Sequence, residues 1–353
     1  MRFEKAFDRV RHSKLLEVLR EVGIDEKNVR VIASLYWQQT ATVLVDGEET
    51  KEMKIKRGVR QGCPLSPTFF NLYSEKIMAE ALQDATEGIS INGELINNLR
   101  YADDTALLAS SIEELQSLLS KVNEASDAFG IKINVKKTKF MVISKTEHVP
   151  ACLTINGEPI ERCASFKYLG CLVNEKWDMS QEIRSRIEQA RSVFRKMKKV
   201  LTNRNLTLEL RLRMVRCYVF PIVLYGMEGW TLTQRLEDKI NAFEMWIYRR
   251  VLKISWMDRV TNAEVLTRMN TSLTLLISVK KRKLLYFGHV MRNEKYRLLH
   301  LIIQGRIEGR RAPGRRRTSW LKNLRQWFGK STRSLFRAAA SKVKIAMMIA
   351  NLR

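Results

Sequence analysis

Apolar residues recur at helical spacing along much of the chain, and shorter alternating stretches separate these segments in the first half. Near the start, four apolar residues share one face of a predicted helix that Gly23 ends: Leu15, Leu16, Leu19 and Val22. Two further helices are predicted in TFFNLYSEKIMAEALQDA and SIEELQSLLSKVNEASDAFG. Ser111 and Glu114 indicate a capping box at the start of the latter helix.

The alternating stretches carry the signals of β-hairpins. Asp46-Gly47 and Asn92-Gly93 each lie between alternating apolar and polar residues, and both dipeptides favour a tight hairpin turn. Helices interleaved with antiparallel hairpins predict an α+β fold rather than a doubly wound parallel sheet.

From about residue 178 onward, the predicted elements are helices. The first of them combines an apolar stripe with basic residues on its other faces, among them Arg184, Arg186, Arg191, Lys196 and Lys198. Pro221 lies within a later apolar stretch and predicts that its helix ends or kinks there. A loop rich in arginine and glycine begins near residue 305, and a helix is predicted around Trp320 to Phe328.

The charge of the chain is strongly positive and unevenly distributed. The formal net charge is +26, and +19 of it lies in the 78 residues from Leu276 to Arg353, which leaves +7 for the first 275 residues. Such asymmetry indicates a polyanionic partner for the C-terminal part. Nucleic acid is the favoured partner, and an anionic membrane surface is the alternative.

Cysteine and hydropathy patterns limit the other classes of protein. The five cysteines have irregular spacing and form no CxxC pair, which predicts neither a zinc site nor a disulfide framework. The longest apolar stretch is too short to span a bilayer, and the first twenty residues lack the pattern of a signal peptide. We therefore expect an intracellular protein, nuclear or cytoplasmic or both, without a membrane partner.

Two adjacent aspartates, Asp103 and Asp104, lie between two predicted strands in NLRYADDTALLAS. A solvated turn explains such a pair in most proteins. A divalent cation is the other explanation, because Mg²⁺ prefers carboxylate oxygens together with substrate phosphates. A tight hairpin would present both acids from one rigid turn.

Five segments, in order, resemble the palm of reverse transcriptases, and most closely those of non-LTR (LINE-type) retrotransposons. They are FEKAFDRV, RGVRQGCPLSPTFFNLY, YADD, GIKINVKKTKFMVIS and FKYLGCLV. The resemblance implies an antiparallel palm sheet with packed helices in residues 1–178, a helical thumb in 179–260 and a basic nucleic-acid-binding region in 261–353. It also implies an RNA template, a DNA primer, dNTP substrates and two Mg²⁺ ions.

The resemblance assigns roles to individual residues. The first aspartate of the pair would bridge both Mg²⁺ ions, which assigns that role to Asp103, with Asp104 as the second ligand. The other implied positions are a charge for the departing pyrophosphate at Lys137, nucleotide contacts at Phe7, Gln61 and Gly62, and a primer grip at Tyr168, Leu169 and Gly170. Some have ordinary alternatives, such as a core phenylalanine for Phe7 or a solvated lysine for Lys137.

One position departs from the family pattern. The first motif of the family reads D-x-x-K-A-F-D, and aligning KAFD at Lys5 to Asp8 places its leading aspartate, the third metal ligand, at Arg2. A guanidinium repels Mg²⁺. We therefore expect a truncated copy without fingers or endonuclease and with little or no polymerase activity of its own. A non-catalytic nucleic-acid-binding remnant is the alternative.

The basic loop supplies the candidate phosphate contacts, which are Arg310, Arg311, Arg315, Arg316 and Arg317. Arginine forms forked hydrogen bonds with phosphate, so this loop predicts a salt-dependent affinity for nucleic acid that tolerates many sequences. A solubilising segment or a nuclear-import signal would have the same composition.

Overall fold

The computed structural model of the chain describes residues 1–144, 152–306 and 318–352. The chain divides into two compact units, Met1–Leu169 and Gly170–Arg353. Unit 1 mixes helices with short strands, and unit 2 is helical apart from its first strand. The whole is an α+β protein, as the hairpin and helix signals predicted.

Four helices form the framework of unit 1: α1 (His12–Glu21), α2 (Glu26–Tyr36), α3 (Ser66–Leu82) and α4 (Ile112–Ala128). The Ser111 side chain caps α4 by accepting from the Glu114 N–H at 3.2 Å, and the Glu114 carboxylate accepts from the N–H of Ser110 at 2.9 Å. Of the four apolar residues predicted to share one face of this helix, Val22 is 56% exposed. It lies just beyond the last residue of α1, at the C-cap position.

The strands of unit 1 are short: β1 (Thr40–Ala41), β2 (Leu44–Val45), β3 (Glu48–Glu49), β4 (Met53–Lys54), β5 (Ile89–Ile91), β6 (Glu94–Ile96), β7 (Asn98–Tyr101), β8 (Asp104–Leu107), β9 (Lys139–Phe140), β10 (Thr154–Ile155), β11 (Glu158–Pro159), β12 (Glu161–Arg162) and β13 (Ser165–Tyr168). Both predicted hairpin turns are confirmed. Asp46 and Gly47 join β2 to β3, and Asn92 and Gly93 join β5 to β6, with positive φ at all four residues. A tight hairpin turn requires this left-handed backbone.

One strand pair departs from the antiparallel pattern expected for this region. Strands β9 and β12 are parallel, with Lys139 opposite Glu161 and Phe140 opposite Arg162. A parallel pair needs a long connection between its strands, and here about twenty residues separate them. The sheet of unit 1 is also divided into two-stranded pairs and isolated bridges rather than forming one continuous sheet.

The core of unit 1 lies between α3 and α4. Phe70, Tyr73 and Ile77 of α3 are fully buried, as are Leu118 and Val122 of α4. The buried Tyr73 hydroxyl donates to the carbonyl of Phe129 at 2.6 Å, which satisfies a polar group that would be costly if left unpaired. These two helices hold the strands that carry the acid pair.

Unit 2 begins with strand β14 (Cys171–Asn174) and continues as helices: α5 (Met179–Lys196), α6 (Lys198–Leu201), α7 (Leu208–Met214), α8 (Phe220–Val223), α9 (Gln234–Val251), α10 (Asn262–Met269), α11 (Leu275–Met291), α12 (Arg297–Gln304), α13 (Trp320–Phe328), α14 (Thr332–Ala339) and α15 (Lys342–Ala350). A π-helical segment, Val215–Val219, separates α7 from α8. Pro221 is the second residue of α8, directly after the π-helical segment, and the helix continues past it to Val223, so it does not end at the proline as predicted. Helix α13 has the predicted bounds.

Unit 2 contains buried charges that the sequence had placed on the surface. The Arg186 side chain is only 8% exposed; its Nε donates to Glu182 at 2.7 Å, and its Nη2 donates to the carbonyl oxygen of Gly170. The prediction that Arg186 belongs to a solvated basic face was therefore wrong. Position 186 borders the apolar stripe of Ile183 and Ile187, and its charge is neutralised inside the fold.

Candidate active site

The acid pair lies in the hairpin formed by β7 and β8. Tyr101 pairs with Asp104 across the hairpin, which leaves Ala102 and Asp103 as the two turn residues. Ala102 has φ of +51°, a left-handed backbone that is uncommon for any residue except glycine. Both carboxylates are half-buried rather than fully solvated. The hairpin thus holds two acids side by side from one strained turn.

The first residues of the chain extend this hairpin into a wider sheet. Arg2 bridges Asp104 on one side, and Phe3 bridges Ile133 on the other, both antiparallel. The backbone N–H of Asn134 donates to the carbonyl of Arg2 at 2.8 Å. Position 2 therefore lies on a strand next to the acid pair, where the alignment of the first motif had predicted a third ligand.

Arg2 holds Asp104 with both arms of its guanidinium. Its Nε donates to one carboxylate oxygen of Asp104, and its Nη2 donates to the other at 2.9 Å. This hydrogen-bonded guanidinium lowers the pKa of Asp104, and Asp104 in turn raises the pKa of Arg2. Asp104 is thereby fixed as an anion whose charge is already neutralised.

The residues at this site do not fit a two-magnesium centre. Mg²⁺ requires unobstructed oxygen ligands, and Arg2 occupies both oxygens of Asp104. Within residues 1–144, 152–306 and 318–352, no cluster of three or more His, Cys, Asp or Glu side chains could hold a metal ion. Only Asp103 keeps its carboxylate clear of the guanidinium.

Phe7 lies beside the hairpin turn at the edge of a cavity. Its ring stacks on Phe70 of α3, with centroids 4.4 Å apart. Together with Pro67, Tyr101 and Ala102, it lines a cavity of about 660 Å³. The structure thus brings the predicted nucleotide-contact residue, the end of the QGCPLSP loop and the acid-bearing turn around one space.

Gln61 and Gly62 occupy an exposed turn at the start of that loop. Gly62 has φ of +82°, and the backbone N–H of the nearby Val59 donates to the carbonyl of Phe7 at 2.9 Å. Neither Gln61 nor Gly62 is among the described residues that line the cavity. The loop is therefore tied to the Phe7 segment, but its two predicted contact residues face solvent.

Lys137 ends a short 3₁₀ turn, Val135–Lys137, that follows the strand segment next to Arg2. The side chain of Asn134 caps this turn by accepting from the N–H of Lys137 at 3.0 Å. Lys137 itself is exposed. Its position leaves the ammonium group available to an anionic ligand near the sheet.

The predicted primer-grip residues fall where the chain passes from unit 1 to unit 2. Tyr168 is half-buried, and burial raises its pKa, with a further rise from the Asp104 carboxylate. Leu169 and Gly170 both have positive φ, at 46° and 80°. A Cβ at Gly170 would lie 3.1 Å from the ring of Tyr225, so glycine also provides space for that ring.

The arginines of the basic loop, namely Arg310, Arg311, Arg315, Arg316 and Arg317, lie outside the described residues.

Tyr101, Asn71 and Glu75 line the cavity but were not among the predicted site residues. Tyr101 is 66% exposed, and Glu75 pairs with Arg100 at 3.0 Å beside it. The alternation in NLRY places Leu99 and Tyr101 on one strand face, which gave a weak signal for Tyr101. Nothing in the sequence near Glu75 indicated its contact with a strand 25 residues away.

Comparison with known proteins shows which protein family this chain is similar to. Residues 2–173 match the family model for reverse transcriptase (RNA-dependent DNA polymerase). The RNA-directed DNA polymerase of the mobile element jockey from Drosophila funebris is 27% identical over 269 residues, which are 74% of this chain and 29% of that protein. A Pol polyprotein of the type-1 retrotransposable element R2 from Popillia japonica is 28% identical over 65% of this chain and 33% of that protein.

A transposon-derived protein of Caenorhabditis elegans is 26% identical over 67% of this chain and 86% of its own length. By contrast, the chain spans only about a third of the jockey and R2 proteins. The family match covers all five motif segments and the strand that carries Arg2. Through residues 2–173, this chain is similar to the reverse transcriptases, and among them to those of LINE-type retrotransposons.

Proposed function

We propose that this chain carries the palm of a retrotransposon RNA-directed DNA polymerase in a form that Arg2 keeps from binding catalytic metal. The observation that supports the proposal most directly is the two-pronged contact between the Arg2 guanidinium and the carboxylate of Asp104. Reverse transcriptases generally use divalent metals such as Mg²⁺. Because Arg2 occupies the second carboxylate, the chain by itself should have little or no polymerase activity.

The rest of the site suits a nucleic-acid substrate. We assign the incoming nucleotide to the cavity lined by Phe7, Tyr101 and Ala102. Gln61 and Gly62 do not line this cavity, so they would contact the nucleotide only after the loop moves towards it. An aromatic ring beneath a sugar leaves little room for a 2′-hydroxyl, which supports the choice of a deoxynucleotide. Lys137 would provide positive charge for the phosphates, and residues 168–170 would hold the primer strand.

The domain assignment follows from the same proposal. We assign residues 1–178 to the palm, 179–260 to the thumb and 261–353 to a basic region that contacts the phosphate backbone. The division into compact units falls at Leu169 and Gly170, within the proposed primer grip. The helical content of unit 2 is compatible with a thumb, which needs a rigid surface along a duplex.

Primer extension on an RNA template tests the proposal. We expect little incorporation by the wild-type chain with Mg²⁺ or Mn²⁺, because Arg2 neutralises Asp104. Arg2→Asp should raise incorporation by about tenfold or more, on the scale by which removing one electrostatic partner changes catalysis. Arg2→Asp combined with Asp103→Ala is the matched control and should return to the wild-type level.

A metal-binding measurement distinguishes inactivity caused by Arg2 blocking the metal site from inactivity with another cause. Titration of Mn²⁺ followed by electron paramagnetic resonance should show no specific site in the wild type and a new site in Arg2→Asp. Robust extension by the wild type that Asp103→Ala abolishes would contradict the proposal. So would a specific Mn²⁺ site in the wild type that Asp103→Ala removes.

A non-catalytic nucleic-acid-binding protein is the second candidate, and the net charge of +26 favours it. Phosphate contacts by the arginines of residues 310–317 would make log K fall with log[salt], by about 0.9 per contact on duplex DNA. A flat salt dependence would exclude the phosphate-contact proposal. Among the described residues, no helix combines the length and apolarity needed to cross a bilayer.

A further inference from the structure

A short exposed segment with a tryptophan follows the C-terminal end of α9, outside the polymerase motifs. We call residues 255–259 the indole tip. Its Trp256 is 94% exposed and Met257 is 84% exposed, among the most exposed large apolar side chains in the described chain. Leaving so much apolar surface in water costs free energy, at about 25 cal/mol per Å². A binding partner that covers the tip would recover that free energy.

The indole tip is rigidly built. Ile254 and Val260, directly before and after it, both pack against the core of unit 2. Within the tip, Ser255 and Asp258 form a capping box, in which the Ser255 N–H donates to the Asp258 carboxylate at 2.6 Å. Arg249 braces the tip by donating to the carbonyl of Val260 at 2.8 Å. Trp256 is thus held outward by a fixed scaffold.

A basic and aromatic cavity adjoins the tip. Arg249 and Asn262, which are joined by a 2.9 Å hydrogen bond beside the tip, also line a cavity of about 500 Å³ with Trp246 and Arg250. The Arg250 guanidinium lies 3.9 Å from the centroid of the Trp246 ring. Arg249 therefore links the cavity to the tip, because it lines the cavity and also donates to the carbonyl of Val260, the residue directly after the tip.

The arginines of this surface are crowded by like charge. Arg191 also lies over the Trp246 ring, at 5.2 Å, on the opposite helix α5. Burial and the neighbouring Arg191 and Arg195 lower the pKa of Arg250. Arg191 is paired with Glu188 at 2.7 Å, whereas within the described residues no carboxylate forms an ion pair with Arg195 or Arg250. Phosphate oxygens would relieve this repulsion.

We infer that the indole tip and the adjoining cavity bind an unpaired stretch of nucleic acid, with Trp256 stacked on a base and Arg249 and Arg250 facing the phosphates. Every base offers a π-face, so stacking of this kind tolerates any sequence. The exposed Lys253, just before the tip, and the exposed Arg259, its last residue, add positive charge around Trp256. The inference rests on the proposed function, because it takes nucleic acid as the partner.

Fluorescence anisotropy of the full-length chain with a labelled oligo(dT) of about twenty nucleotides tests the inference. Trp256→Ala should weaken binding about 5- to 100-fold, the range expected for loss of one stacked base. The slope of log Kd against log[salt] should stay the same, because no phosphate contact is lost. Trp256→Phe, which keeps an aromatic ring, should recover most of the affinity.

Trp37→Ala is the matched control, since Trp37 is 76% exposed but lies in unit 1. It should bind the oligonucleotide like the wild type. Wild-type binding that Trp256→Ala leaves unchanged would overturn the inference alone, and absence of any wild-type binding would overturn the proposed function as well. Loss of binding to phosphatidylserine vesicles by Trp256→Ala, with oligonucleotide binding intact, would overturn the inference in favour of a membrane partner.

Discussion

Two of the arginine–carboxylate pairs in the molecule differ in their contacts and in their surroundings. Arg2 contacts both carboxylate oxygens of Asp104, whereas only the Nε of Arg186 contacts Glu182. In unit 1, Arg2 and Asp104 form a pair whose side chains are 47% and 20% exposed. In unit 2, Arg186 and Glu182 form a pair whose side chains are only 8% and 5% exposed. The first pair includes one of the two aspartates that we propose as metal ligands in an active polymerase, whereas the second joins a helix to the strand before it. We expect the difference in burial to determine what each pair contributes to stability.

The buried pair is part of the fold because its charges cannot reach water. Glu182 also accepts from the N–H of Leu172 at 2.9 Å, and Arg186 lies 4.5 Å from the ring centroid of Tyr225. Removing one charge would leave the other desolvated and unpaired. The exposed pair lacks this constraint, since water can solvate either group once the other is removed.

Arg186→Ala should therefore produce the largest loss of stability of the variants considered. We expect the free energy of unfolding to fall by about 3–5 kcal/mol, because Glu182 would remain as an unpaired buried charge. Denaturant unfolding followed by circular dichroism measures the change. Arg184→Ala, on the exposed side of the same helix, is the control and should change stability by less than about 0.5 kcal/mol.

The double variant Glu182→Gln with Arg186→Met sharpens this prediction. If the loss arises from an orphaned charge, the double variant should be more stable than Arg186→Ala, since neither charge remains. A double variant as unstable as the single one would show that the packing of the arginine side chain, rather than its charge, stabilises unit 2.

A buried charge without a carboxylate partner extends the comparison. Lys283 of α11 is fully buried, and its ammonium donates to the carbonyl of Trp230 and to the side chain of Asn323, the latter at 3.0 Å. The ammonium lies 4.6 Å from the ring centroid of Trp320 and 5.4 Å from that of Trp327. Burial lowers the pKa of Lys283 from 10.5 to about 7.

The stability of unit 2 should therefore rise with pH above neutrality. Between pH 7 and about 10, the unfolded chain keeps the Lys283 proton and the folded chain has released it, so deprotonation favours the folded state. The slope contributed by this residue is at most about 1.4 kcal/mol per pH unit, and the indole rings reduce it by stabilising the cation. Chemical unfolding at a series of pH values measures it.

Lys283→Met should remove this rise, whereas Lys281→Met, at the exposed neighbouring position, should retain it. An equal pH dependence in Lys283→Met and the wild type would show that Lys283 stays protonated in the fold. In that case Lys283, like Arg186, would be a buried side chain that stays charged because its surroundings stabilise the charge.

The sequence predicted correctly those elements that neighbouring residues determine, such as tight turns. The turns at Asp46-Gly47 and Asn92-Gly93 formed because asparagine or aspartate followed by glycine tolerates positive φ at both positions. By contrast, the parallel pairing of β9 with β12 and the division of the sheet depend on packing between distant segments. Helix α2 was not among the predicted elements.

The same distinction applies to the candidate site. The motif alignment predicted position 2 as a neighbour of the acid pair, and the bridge between Arg2 and Asp104 confirms that proximity. Arg186 was wrongly predicted to be solvent-exposed. The spacing of apolar residues along a helix does not distinguish an arginine in solvent from one that is paired with a carboxylate beside the core. Its partner four residues earlier, Glu182, was the available signal, since residues i and i+4 meet on one helix face. Tyr101 and Glu75 meet at the cavity through tertiary packing.

Arg2→Ala should change stability far less than Arg186→Ala, within about 1 kcal/mol, because the pair is partly exposed to solvent. In the wild type, the lowered pKa of Asp104 gives stability that is present near neutral pH and is lost as the pH falls through that pKa. In Arg2→Ala, the pKa of Asp104 should move up towards its ordinary value, and this acid-dependent contribution should disappear. Carbon-detected NMR titration of the Asp104 carboxyl follows the change directly, with Arg20→Ala, which removes another exposed pair, as the control. A loss comparable to that of Arg186→Ala would mean that Arg2 is needed for folding as well as for neutralising the acid pair, and the contrast between the two pairs would not hold.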